Sequence, residues 1–192
     1  MEPAASRPQM AWSNLPGRVT EQPKRFLACI AAGQLAGLAF LGFLVLVYLA
    51  FESERPFEWP VRVVAGFLLG EKALEAPDGL TYALGIGVNQ LIPALFWSAV
   101  YAWFVMSPRF PTRNSTCIAL GLGIGVLAIA VDVYFILPPG MTVLHDQDFW
   151  WEHIRRSWDW IAHGVYGLAM GYFFTVLQPR IEKVRPSVRI DI

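Results

Sequence analysis

Three ionisable residues stand where a chain this apolar should carry none. Asp132 and His163 interrupt runs of Leu, Ala, Gly and aromatic residues, and Asp159 stands at the head of the run that holds His163. Such a group inside an apolar run is costly unless it is paired or faces a cavity, and it marks a candidate functional site. Asp159 and His163 are four residues apart, so on a helix they share a face and can hydrogen-bond. Asp132 continues a small-residue stripe through Gly121, Gly125 and Ala128, which should turn it toward protein rather than lipid. Asn89 and Gln90 bring amides into another apolar run. These residues are expected to form one polar cluster, with Asp132 within a water-bridged distance of His163. The cluster could handle a proton or a ligand, or serve as hydrogen-bonding glue between helices.

Other chemistry is sparse. "GLGIG" (Gly121–Gly125) follows no strand, so it is not a nucleotide fingerprint, and no HExxH metal motif occurs. His145, His153 and His163 are too few and too clustered for two haems. Ser98 has no nearby His–Asp pair of its own. Cys29 and Cys117 lack ligand spacing and read as small packing residues. The expectation is therefore no enzyme, no metal and no cofactor.

The elements that must position the cluster are long. Of 192 residues, 55% are hydrophobic and 16% charged, against about 25% charged in a soluble domain. Four runs, 26–51, 80–106, 116–137 and 160–177, are close to the roughly 20 apolar residues that cross a bilayer as a helix. Long unalternating runs favour helices, which satisfy their own backbone hydrogen bonds in lipid. The fold class is an all-α membrane protein with four transmembrane helices, between tails at 1–25 and 178–192. The first run exceeds the apolar core of a cleavable signal, about 7–15 residues, and should remain as an anchor. Zero net charge without a dense basic run argues against nucleic acid as a partner.

Lys and Arg set the expected orientation. Arg7, Arg18, Lys24, Arg25, Arg109, Arg113, Arg180, Lys183, Arg185 and Arg189 fall on one side, and Arg55, Arg62, Lys72, Arg155 and Arg156 on the other. That bias places both termini in the cytoplasm. Outside, Pro56–Ala76 reads as an interfacial or re-entrant helix. Asp148–Asp159 reads as a capped, charged lead-in to the fourth span, with Asp148 as cap and Glu152 facing Arg155 and Arg156. Phe149, Trp150, Trp151, Trp158 and Trp160 supply an aromatic belt there. The short "SPRFPTRNS" connection should make spans two and three adjacent. "YAWFVMSPR" (Tyr101–Arg109) and "YFFTVLQPR" (Tyr172–Arg180) match at Tyr, Val, Pro and Arg, the trace of a tandem 2+2 parallel repeat.

Packing faces follow from glycine. Gly33 with Gly37, and Gly121 with Gly125, form GxxxG pairs, and Gly164, Gly167 and Gly171 mark a small face on the fourth span. In layout, and at "HGVYGLAMG" (His163–Gly171), the chain resembles the YagU-like small bacterial inner-membrane proteins. That resemblance implies a bacterial inner (plasma) membrane protein and carries no assigned reaction. Those relatives often have a second-span histidine where this chain has "NQLIPALFW", which lowers the expectation of a metal or haem. The leading expectation is a non-enzymatic accessory or interaction and stress-related protein of the bilayer, with a spare glycine face for a homo-oligomer or larger complex. The alternative is a small homo-oligomeric permease or proton-responsive channel using the Asp/His cluster.

Overall fold

The computed structural model describes residues 22–107, 110, 113–145 and 150–183, without the side chains of 151 and 180–183. The outer parts of both tails, the Asp148 cap, Phe149 and most of the "SPRFPT" turn lie outside the described residues. Everything regular within them is helical: α1 (Gln22–Phe51), α2 (Trp59–Leu69), α3 (Lys72–Glu75), α4 (Gly79–Asn89), α5 (Leu95–Met106), α6 (Asn114–Val131), α7 (Leu137–His145), α8 (Trp150–His153) and α9 (Arg156–Lys183). A π-helical turn at Gln90–Ala94 joins α4 to α5, and another at Asp132–Ile136 joins α6 to α7. Four helices are thus long and apolar enough to cross a membrane: Gln22–Phe51, Gly79–Met106, Asn114–His145 and Arg156–Pro179. This is a multi-pass membrane protein.

The third of these runs past its expected end at Leu137. Pro138 and Pro139 cannot donate to the preceding turn and would ordinarily stop a helix. Here the widened turn just before them, closed by Leu137 N–H on Asp132 O, shifts the hydrogen-bond register, and the helix continues to His145. Pro93 lies within the other widened turn, where Leu95 N–H reaches back to Gln90 O. The opening of the fourth span is corrected too. The stretch is broken at Ile154–Arg155 into the short α8 and the long α9. Arg155 pairs with Glu52 at 3.2 Å instead of with Glu152.

Packing order also departs from expectation. The α9 helix is the hub, lying along α1 on one side and α6 on the other, while α5 packs on α1. Spans two and three meet at α5 and α6, but α4 and α7, their lengths away from the termini, do not pack closely. A short linker fixes sequence proximity; the glycine seams decide which helices touch. A Cβ at Gly121 would sit 2.3 Å from Gly167 O, one at Gly125 2.3 Å from His163 O, and one at Gly171 2.5 Å from Ile118 Cα. Gly33 and Gly37 press on Ser98, Gln90 and Ala94 of span two. Both GxxxG pairs are therefore used within the chain, and neither is spare for a second copy. Gly164 is a correction: among the described residues, no atom of another helix lies within 4 Å of a Cβ placed there, so it is not part of a seam.

The half of the bundle near the termini is filled by Cys29, Tyr101, Val105, Cys117 and Phe174, all buried. At the other end, the loop half, α2 forms as expected for Pro56–Ala76. It does not lie out on the surface, because Val61, Val63, Val64 and Ala65 are buried, mainly against α4. Gly70 ends it at φ 60°, a left-handed turn that suits glycine, against the His145 ring. An Asp78–Thr81 capping box starts α4.

Candidate functional site

The three ionisable residues converge on the loop half, as the sequence suggests, through partners it does not show. Asp159 and His163 occupy successive turns of α9. His163 Nδ1 lies 2.9 Å from the Asp159 backbone O and 3.1 Å from its Oδ1. A carbonyl oxygen only accepts, so Nδ1 carries the proton and donates. The ring is 8% exposed and Asp159 is fully buried. Phe40 of α1 meets the imidazole edge-on at 4.9 Å. Trp150 of α8 donates Nε1–H to Asp159 Oδ2 at 3.0 Å. That corrects the reading of Trp150 as a belt residue: it is buried, and it holds the carboxylate that holds the histidine. Trp160 is exposed as a belt residue should be, while Trp158 reaches Glu52 at 3.0 Å and stacks on Phe51.

Asp132 begins the second widened turn. Its Oδ2 accepts Nε1–H of Trp97, across from span two, at 2.7 Å. The charge-assisted bond is short, and it ties α5 of span two to the widened turn of span three. His163 and Asp132 make no direct hydrogen bond; they line one cavity of about 290 Å³ instead. The cavity is walled by both widened turns, by Val64 and Phe67 of α2, by Trp150 and by Tyr166. Tyr166 donates to Ala94 O at 3.4 Å.

The amides separate. Asn89 belongs to the cavity wall and donates to Gly37 O at 3.1 Å. Gln90 does not join the cluster. Its Nε2 donates to Gln34 O at 3.2 Å, and Gln34 Nε2 returns a bond to Gln90 O at 3.1 Å. Adjacent residues on a helix point about 100° apart, so only one of the pair could face the site. Ser98 donates back to Leu95 O at 2.9 Å under Gly33 and is absent from the cavity wall.

Sequence reasoning missed Trp97 and Trp150. The available signal was that a buried indole N–H seeks an acceptor, and Trp97 and Trp150, the Trp side chains buried among the described residues, each end on one of the two carboxylates. Above the site, one carbonyl gathers the loops. His153 O, at the end of α8, accepts from Tyr48 (2.9 Å), Arg55 (2.6 Å) and Trp59 (3.1 Å). These bonds tie α8, and so Trp150, to α1 and the start of α2. No group of His, Cys, Asp and Glu among the described residues is arranged to hold a metal.

Comparison with protein-family models, curated proteins and solved structures found no match for this chain.

Proposed function

We propose that this chain is a non-enzymatic protein of the bacterial inner membrane, and that its working part is a ligand-binding cavity in the outer half of the bundle. One observation carries the reading. A largely apolar cavity contains two ionisable side chains held from behind, His163 by Asp159 and Asp132 by Trp97. Small-molecule sites have this composition, with an apolar lining and a few fixed polar groups. Glue between helices would instead pair Asp132 and His163 with each other and leave no space. Binding is favoured over conduction because, among the described residues, the terminal half is filled by buried side chains and close glycine contacts.

The orientation with both termini in the cytoplasm, the parallel 2+2 repeat and any larger assembly belong to this proposal. Lys and Arg distribution supports the first. The repeat is supported by the matched Tyr, Val, Pro and Arg; against it, Tyr101 is buried on Cys117 O while Tyr172 is exposed. A homo-oligomer or accessory role would have to use faces other than the GxxxG pairs.

Native mass spectrometry of protein extracted from membranes tests the reading. A lipid-soluble molecule should accompany the wild type and be lost from Ala128→Phe, which fills the cavity from a buried wall position. An empty wild-type protein, or one whose passenger is indifferent to Ala128→Phe, would sink it.

A further inference from the structure

The mouth and the polar groups of the cavity together define its ligand. Ile92, Phe96 and Ile136 line it and are also exposed, on spans two and three. In a bilayer those side chains face acyl chains, so the opening is lateral and the ligand enters from the membrane. Among the described residues, no Lys or Arg lines the cavity. A phosphate or carboxylate headgroup would therefore meet Asp132 with no Lys or Arg to offset the repulsion.

Two groups are left to do the recognising. Nδ1 of His163 already serves Asp159, while Nε2 has no hydrogen-bond partner among the described residues and is not among the sealed polar atoms. Asp132 Oδ2 is taken by Trp97, leaving Oδ1 in the same position. With Nδ1 holding its proton, Nε2 accepts when the ring is neutral and donates when it is charged. A ligand suited to both must offer hydroxyl or carbonyl groups at two places on a body flat enough to lie among Phe67, Phe96, Trp97 and Tyr166.

We propose that the cavity binds the ring of a lipid-soluble quinone or quinol: the quinol donates one hydroxyl to Nε2 of the neutral His163 ring and the other to Asp132, and the quinone accepts at one carbonyl from Nε2–H of the charged ring. This rests on the ligand-binding reading above and names the ligand class within it. Only binding is claimed, and no electron transfer.

The test uses full-length protein in nanodiscs of quinone-free lipid, titrated with decylubiquinone and its quinol and followed by quenching of tryptophan fluorescence. Decyltrimethylammonium and decanoic acid share the tail and lack the ring. The quinone pair should bind in the micromolar range, with Asp132→Asn weakening the quinol more than the quinone. His163→Gln should weaken both by about tenfold or more. Ile136→Trp, at an exposed position of the mouth, should slow binding while leaving thermal unfolding unchanged. That keeps the proposal testable even where a cluster variant folds poorly. Preferential binding of the ammonium would make the site a cation cage and overturn the proposal. So would ring binding that is indifferent to Ile136→Trp and both cluster variants. If an apolar passenger is displaced by Ala128→Phe but neither ring form competes with it, this inference falls and the binding reading stands. If nothing is carried and nothing binds, both fall.

Discussion

The two halves of the bundle are built from the same helices by opposite devices. Toward the termini, glycine removes side chains so that α9 and α6 meet backbone to backbone, with Gly121, Gly125, Gly167 and Gly171 in one seam. Toward the loops, widened turns at Gln90–Ala94 and Asp132–Ile136 leave a space that the facing helices do not close. Backbone contact rewards dispersion and leaves no room for solvent or ligand. A widened turn gives up regular packing and is frequently found at functional sites. One chain thus carries a rigid clasp and a cavity, and the clasp fixes the geometry of the cavity because His163 O sits directly against Gly125.

The largest effect should come from breaking the clasp. A side chain at Gly167 meets Gly121 O at 2.4 Å and Leu122 Cα at 2.9 Å, both backbone atoms that cannot rotate away. Gly167→Leu should abolish the monodisperse folded species in size-exclusion chromatography. Gly164, one turn earlier on the same helix, touches nothing within 4 Å. Gly164→Ala should be neutral or stabilising by up to about 1 kcal/mol, the ordinary helix-interior gain. Equal damage from both would mean that the seam is not where the helices meet.

Asp159→Asn should have the next largest effect, and it acts on the other half. The carboxylate is fully buried, supports His163 and receives Trp150. Removing one member of a buried charged pair costs about 3 kcal/mol or more. Thermal unfolding followed by near-ultraviolet circular dichroism should show the loss together with a change in the Trp150 signal. An unchanged midpoint would show that α8 does not depend on this contact.

How far these halves could be read beforehand differs in kind. The spans, the seam residues and the Asp159–His163 pair follow from composition and i,i+4 spacing, which are local. The wide turns do not, because Pro93 and Pro138–Pro139 state only that a donor is missing and not how the backbone will compensate. Likewise Gln90 and Asn89 are adjacent in sequence, and only the rotation of α4 against α1 sends Gln90 to Gln34 while Asn89 stays on the cavity. Partners supplied from another helix, Trp97 above all, required the tertiary arrangement.

Trp97→Phe tests that cross-helix contact with a smaller loss. It keeps the ring and removes the donor to Asp132, leaving a half-buried carboxylate oxygen unmatched at a cost of about 1–3 kcal/mol. Asp132→Asn in the Trp97→Phe background should then cost less than in the wild type. The coupling should be readable in a double-mutant cycle of thermal unfolding. Trp103→Phe is the control, since that side chain is 80% exposed and should change almost nothing. Additive losses at Trp97 and Asp132 would remove the bond from any role in holding the two walls of the cavity.

The smallest effect should come from the loop carbonyl hub above the cavity, through pH. His153 is pulled below its ordinary 6.5 by burial first and by the nearby Arg55 guanidinium second, with Glu152 and Glu71 opposing. Its ring packs edge-on to Trp59 at 5.6 Å in this partly buried position, and the burial with Arg55 nearby makes the native state favour the neutral imidazole. In the unfolded chain the same group titrates at about 6.5. Above that value neither state holds the proton and the contribution is complete. As pH falls through it, the unfolded chain takes up the proton first and stability declines, until the native ring also protonates at lower pH. The wild-type unfolding temperature should therefore drop between pH 7.5 and 5.5 by more than that of His153→Gln, a difference that isolates this histidine from His145 and His163. Parallel curves for the two proteins would mean that the α8 hub is held by its carbonyl bonds alone, and that acid reaches the cavity by some route other than loosening the loops that carry Trp150.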